Sequence, residues 1–144
     1  MKFEEIQKLW SGDCDIDDSE LSQESVIIPQ LHNKYLIIFH DERLRLRTMR
    51  FDHSKLLKVK REYFSGRMDA TELEAYDWEP FQYKLLKADV QEYIDADDDI
   101  IEGKKKISLQ EEKVDYLEAI VKGLSNRGYL IKNAIDWKRF TEGH

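Results

Sequence analysis

Between residues 107 and 138, apolar side chains return every seven positions in two interleaved series. Ile107, Val114, Val121, Gly128 and Ile135 form the first; Gln110, Leu117, Leu124, Ile131 and Lys138 form the second. Most of these places are apolar, which is the seam of a helix packed against other helices. Ile120, Leu130 and Ala134 widen the stripe, and a wide stripe suits contact with more than one neighbour. Val114, Leu117, Val121, Leu124, Ile131 and Ile135 are therefore expected oligomerisation residues. The same pattern serves equally well for a helix pair inside one chain. Asn126-Arg127-Gly128 could end one helix and begin a second. With six Gly and two Pro in 144 residues, and many Glu, Lys, Leu and Ile, the whole chain reads as all-α.

Upstream, residues 2–10 form an expected short helix. Asp17 with Glu20 has the spacing of a capping box, so a helix should start near Asp18. Pro29 either kinks that helix or stands in the first turn of a new one. His40-Asp41-Glu42 is read as a tight break between two antiparallel helices, with continuous helix as the alternative. The second of these helices should run from about Glu42 to Phe64 and end at Ser65-Gly66, where glycine suits a left-handed C′ position. Residues 68–82 are acidic and hold Pro80, so they read as a linker with one helical turn. A helix is expected over Lys84 to Ile101, a second break at Gly103-Lys104-Lys105-Lys106, and a helical region from Ile107 to about Phe140. The expected organisation is one compact domain in three regions. These are an N-terminal helical hairpin with a basic second helix (1–67), an acidic connecting region (68–106), and C-terminal helices that build a ring-like homo-oligomer (107–144).

The net charge of −7 conceals an uneven distribution. Residues 34–67 carry ten basic and four acidic side chains, whereas residues 68–103 carry two basic and twelve acidic. A local field of this kind decides what docks, whatever the total charge. On a helix over residues 42–64, Leu46, Met49, His53, Leu56, Leu57 and Phe64 share one stripe. Arg43, Arg47, Arg50, Lys58 and Arg61 share the adjoining one, and Lys60 projects near the apolar edge beside Tyr63 and Phe64. Cations beside aromatic rings suit nucleic acid, because phosphates need the charge and unpaired bases stack on rings. The bland alternative is a solvated amphipathic helix with snorkelling Arg and Lys. Asp95 to Glu102 is the segment able to neutralise the basic helix from elsewhere in the fold.

Other constellations are weak. Asp13, Asp15, Asp17 and Glu24 fall at calcium-loop spacings, but Asp18 stands where such a loop needs Gly, so an acidic capping turn explains them better. The histidines lack metal spacing, and the single cysteine, Cys14, completes no zinc site and no internal disulfide. No phosphate-binding Gly-rich loop, nucleophile motif or distinctive carboxylate pair is present, so neither a catalytic site nor a cofactor is expected. No stretch approaches the roughly 18 apolar residues of a membrane span, and the N-terminus lacks a leader's apolar core. A cytosolic chain with no membrane partner is expected.

Leu57-Lys58-Val59-Lys60-Arg61-Glu62-Tyr63-Phe64-Ser65-Gly66-Arg67 resembles the DNA-binding signature of the UvsY family of phage recombination mediators, roughly Leu-Lys-x-Arg-x-x-Tyr-Tyr-Ser-Gly-Arg. Asn126-Arg127-Gly128-Tyr129-x-Ile131-Lys132 and Phe140-x-Glu142-Gly143 resemble the family near its end. Lys60 stands where the family has Arg, which keeps the charge but loses the bidentate fork. Arg61 is an extra cation in an often apolar place, and Phe64 replaces a Tyr. The resemblance implies a non-enzymatic accessory factor that binds single-stranded DNA as a hexameric or heptameric ring. Such a factor helps displace the phage single-strand DNA-binding protein and loads a RecA-like recombinase, UvsX in the phage system, in the cytoplasm of the infected host. It implies Lys58, Lys60 and, further along, Arg67 as DNA contacts, to which the charge pattern adds Arg43, Arg47, Arg50, Arg61 and Tyr63. The alternative is a helical protein-interaction adaptor whose basic helix meets an acidic partner.

Overall fold

A computed structural model of the protein describes residues 1–143. The elements are α1 (Phe3–Asp13), α2 (Leu21–Val26), α3 (Ile28–Phe64), α4 (Ala70–Tyr76), α5 (Lys87–Asp95) and α6 (Asp98–Glu142), with no strand among the described residues. No helix among them is long and apolar enough to cross a membrane. Pro29 sits in the first turn of α3, where its missing N–H costs nothing. α3 ends as its sequence predicts. Gly66 has φ +73°, its N–H bonds to the Tyr63 carbonyl at 3.1 Å, and the Arg67 N–H bonds to the Glu62 carbonyl at 3.0 Å. That pair of bonds is a Schellman turn.

Both expected breaks are absent. His40-Asp41-Glu42 lies inside α3, so the N-terminal hairpin is replaced by one helix of 37 residues. Gly103 and Lys104 to Lys106 lie inside α6, a single helix of 45 residues that also passes through Asn126-Arg127-Gly128. Charged residues interrupt a helix only when a turn is preferred, and no Pro or positive-φ Gly stands at any of these places. The capping box at Asp17 is also not formed. Asp17 Oδ1 instead accepts from the backbone N–H of Ser19 at 3.0 Å and its hydroxyl at 2.6 Å, and Glu20 is the N-cap of α2.

The chain divides into two compact units, and each long helix contributes residues to both. The first comprises Met1–Leu44 and Gln110–His144. Its buried apolar residues are Ile6, Leu21, Tyr35, Phe39, Val114, Leu117, Ile120, Leu124 and Ile131. Phe3 meets Tyr116 and Trp10 meets Tyr35 edge to face, each at 5.2 Å, a geometry that adds to burial. Four of the six expected oligomerisation residues, Val114, Leu117, Leu124 and Ile131, are therefore buried in the protomer's own core, and Val121 and Ile135 are half-buried. The heptad seam packs within the chain, and its buried side chains offer no surface to a second copy. On α6 the exposed large apolar residues of this unit are Tyr129, Leu130, Trp137 and Phe140.

Polar groups in this unit are paired across long sequence separations. The buried Glu42 carboxylate accepts from Gln110 Nε2 at 2.8 Å, from the Met1 amino group at 3.0 Å and from Lys113 Nζ at 3.4 Å. Burial opposes its charge, but the hydrogen bond from Gln110 and the neighbouring cations outweigh it and hold the pKa below the usual glutamate value. Asp13 accepts from Lys34 Nζ and the Tyr35 hydroxyl, each at 2.7 Å. Arg127 is buried, and one Nη donates to the carbonyls of Asp13 at 2.9 Å and Cys14 at 2.8 Å. A cation at the carbonyl end of α1 offsets that end's partial negative charge.

The second unit comprises Arg45–Leu109. Phe64, Val90, Ile94 and Ile100 form its core, with Leu56, Leu57, Tyr63, Phe81 and Leu85 packed around them. Asp69 caps α4 by accepting from the Glu72 N–H at 2.8 Å. Gly103 faces His53, both of whose ring nitrogens are buried without a hydrogen-bond partner.

Candidate nucleic-acid interface

The expected cations of the second unit separate into two kinds. Lys60 is 5% exposed. Its ammonium lies 2.9 Å from Asp99 Oδ2 and 3.1 Å from Asp97 Oδ1, and 4.2 Å from the centre of the Trp78 ring. Burial disfavours the charge, but the ammonium's hydrogen bonds to Asp99 and Asp97 more than compensate and hold the pKa above the usual lysine value. The other oxygen of Asp97 accepts from the N–H groups of Asp99 and Ile100 at 3.1 and 3.2 Å, so one carboxylate pairs Lys60 and caps α6. The Asp95–Glu102 segment is thus the charge partner of the basic helix at Lys60. Tyr63 is turned inward as well. Its hydroxyl donates to the Glu79 carbonyl at 2.6 Å, and its ring lies 5.2 Å from both Phe64 and Trp78. Lys60 and Tyr63 therefore act on the fold: the Lys60 ammonium is buried and paired, and the half-buried Tyr63 commits its hydroxyl to a backbone carbonyl.

Arg47, Lys58, Arg61 and Arg67 are exposed, and none has a carboxylate at ion-pair distance among the described residues. Arg50 is exposed on the same stripe. The Arg61 guanidinium donates to Gln91 Oε1 at 2.9 Å, and Gln91 Nε2 donates to Asp95 Oδ1 at 2.8 Å. That chain fixes the guanidinium's direction without neutralising it. Arg43 belongs to the first unit. It is half-buried, 2.8 Å from His40 Nδ1 and 5.0 Å from the centre of the Phe39 ring.

Arg61 and Arg67 also line a cavity of about 330 Å³ with Ser65, Leu85, Lys87 and Val90. Lys87 has no sequence signal: it is one of two basic residues in a 36-residue acidic stretch, and only the fold brings it beside Arg61 and Arg67. The calcium-loop residues form nothing comparable. Asp13 is tied to Lys34 and Tyr35, Asp17 to Ser19, and Lys138 reaches Asp18 at 3.6 Å. No group of acidic, His or Cys side chains among the described residues is placed to hold a metal ion.

A family described as the recombination, repair and ssDNA-binding protein UvsY matches residues 9–144. The recombination protein uvsY of Enterobacteria phage T4 is 22% identical over 143 residues, covering 99% of each chain. Crystal structures of the bacteriophage T4 recombination mediator protein UvsY superpose on this fold. One gives a TM-score of 0.82 at 22% identity over 99% of this chain and 98% of that one. A second lattice gives 0.83 at 21% identity over 97% and 99%.

Proposed function

Since the chain belongs to the UvsY family of recombination, repair and single-stranded-DNA-binding proteins, and is a phage recombination mediator by that membership, we propose that it works by gripping the phosphates of single-stranded DNA as a homo-oligomer. In this reading it helps displace the phage single-strand DNA-binding protein and loads a RecA-like recombinase in the host cytoplasm, without a catalytic centre. The observation that carries the reading is the set Arg47, Lys58, Arg61 and Arg67, exposed and without carboxylate partners at ion-pair distance among the described residues, in a chain of net charge −7. An acidic chain that leaves such cations outside ion-pair distance of its carboxylates among the described residues keeps a positive surface for a polyanion. Arg50 and Arg43 extend the same helical flank. Contacts of this kind go to the backbone, so sequence preference is weak.

Self-association multiplies the grip, because linked sites bind one strand at high effective concentration. The exposed stripe Leu130, Trp137 and Phe140 is the surface proposed for it. Fluorescence anisotropy with an oligothymidylate over a salt series tests the reading. The logarithm of affinity should fall linearly with the logarithm of salt, by about 0.7 per phosphate neutralised. Affinity that ignores salt, or no binding at all, would leave the adaptor reading in its place.

A further inference from the structure

Arg61 near the end of α3, Arg67 closing the Schellman turn and Lys87 opening α5 come together at one cavity. Their convergence has no carboxylate at ion-pair distance among the described residues. Residues 68–103 carry twelve acidic side chains, and two of these neutralise Lys60, yet none lies at ion-pair distance from Arg61, Arg67 or Lys87 among the described residues. Like charges gathered in this way repel, and an anion seated among them relieves the repulsion. The Schellman turn covers the α3 carbonyls of Glu62 and Tyr63, which lessens the negative end that would oppose that anion. Ser65 also lines the cavity, and a serine side chain can donate. Gln91 holds Arg61 in place at 2.9 Å, so its direction is set before anything binds.

The rest of the cavity is apolar, formed by Leu85 and Val90. Two exposed rings flank these residues in sequence: Tyr83, 68% exposed, and Tyr93, 40% exposed. Phe81 supports both, at 5.8 Å from Tyr83 and 5.5 Å from Tyr93, and Phe64 lies 5.7 Å from Tyr93. Rings backed by other rings, with area left to solvent, are what unpaired bases stack on. The volume stands at the lower end of the ~300–1,000 Å³ range of small-ligand sites. It suits one nucleotide unit.

We propose that this cavity is a mononucleotide-sized subsite for single-stranded DNA, holding one backbone phosphate among Arg61, Arg67 and Lys87 with an adjacent base stacked on Tyr83 or Tyr93. The subsite rests on the single-stranded-DNA reading above and adds to it Lys87, Ser65 and the two tyrosines.

The test uses the full chain, an oligothymidylate and an abasic oligomer of equal length, with anisotropy over a salt series. Lys87→Gln and Arg67→Gln change exposed side chains, so folding and assembly mass should hold. Each should weaken oligothymidylate binding by about threefold to tenfold and lower the salt slope by about 0.7. Tyr83→Ala combined with Tyr93→Ala should weaken oligothymidylate binding by about tenfold with the slope unchanged, and should leave abasic binding unaltered. Lys84→Gln, an exposed lysine outside the cavity, should change neither. Oligothymidylate binding by the unaltered protein with wild-type affinity and slope in Lys87→Gln and Arg67→Gln overturns the subsite and leaves the broader reading standing. Failure of the unaltered protein to bind the oligothymidylate overturns both. Equal losses for abasic and oligothymidylate strands in the tyrosine variant overturn the stacking half of the proposal.

Discussion

Asp97 takes the Lys60 ammonium on one oxygen at 3.1 Å and the first N–H groups of α6 on the other, at 3.1 and 3.2 Å. Removing Lys60 therefore strips a buried ion pair from the residue that starts the longest helix. Lys60→Ala should lower stability by about 2–3 kcal/mol, below the full range for buried pairs because Asp99 is well exposed. Lys58→Ala, two residues away and exposed, should change stability by less than about 0.5 kcal/mol while weakening oligothymidylate binding. Urea unfolding and anisotropy on both variants check this. Equal stabilities would show that the Lys60 pair contributes little to the fold.

Glu42 makes the first unit acid-sensitive. Its pKa is depressed in the folded chain, so its contribution is present above the ordinary glutamate value, about 4.3, and is lost as pH falls through the folded value. Glu42→Gln should cost about 2 kcal/mol at neutral pH, since the cations lose their partner while an amide oxygen still accepts from Gln110. That gap should close as the pH drops below about 4. Urea midpoints across a pH series measure it, and a gap that stays constant would exclude the carboxylate as its source.

Two helical glycines should respond oppositely to alanine. A Cβ on Gly103 would stand 2.5 Å from His53 Nδ1 and 2.9 Å from Cε1, whereas one on Gly123 meets nothing within 4 Å. Helix propensity favours alanine at both by about 1 kcal/mol, but overpacking costs about 1–3 kcal/mol. Gly123→Ala should raise the thermal midpoint and Gly103→Ala lower it. Adding His53→Ala to Gly103→Ala should recover part of the loss, as coupled neighbours do. A Gly103→Ala protein as stable as the parent would show that the imidazole yields without cost.

The α6 surface stripe gives a separable test of assembly. Trp137 is 65% exposed and Phe140 79%, so Trp137→Ala with Phe140→Ala removes no protomer core. Secondary structure should be retained, light scattering should report a smaller mass, and the salt slope of DNA binding should flatten as fewer linked sites engage a strand. Unchanged mass would move the interface to another surface.

Local chemistry made much of the fold legible. Gly66 at a left-handed end and a helix over the first residues follow from short-range preferences, and Pro29 takes the second of its two expected places, a first turn and not a kink. The two misplaced breaks share a cause. Glu42 stays in a helix interior because Gln110, 68 positions on, receives its side chain, and Gly103 stays in one beside His53. Partners so distant leave no trace in a local window, and charge clusters there look like turns. The position of Lys60 near the apolar edge was readable, and so was Asp95 to Glu102 as a segment able to neutralise the basic helix, although Lys60 itself was expected to meet DNA. That the two meet as a buried pair needed the tertiary structure. The heptad pattern correctly announced a packed helix, but periodicity carries no information on whether the opposing surface belongs to the same chain or another. Lys87 was invisible for a simpler reason, being an isolated cation in an acidic stretch.

Arg127 joins its guanidinium to the carbonyls of Asp13 and Cys14, more than a hundred residues earlier. The first unit is assembled from two segments separated by the whole of the second. As the polypeptide leaves the ribosome, the carbonyls ending α1 must wait in water until position 127 has been made. Residues 45–109, which form the other unit, are contiguous and are available for mutual contact sooner. The order of synthesis therefore puts completion of the first unit late, and a truncated product stopping before residue 110 would lack every α6 contribution to it.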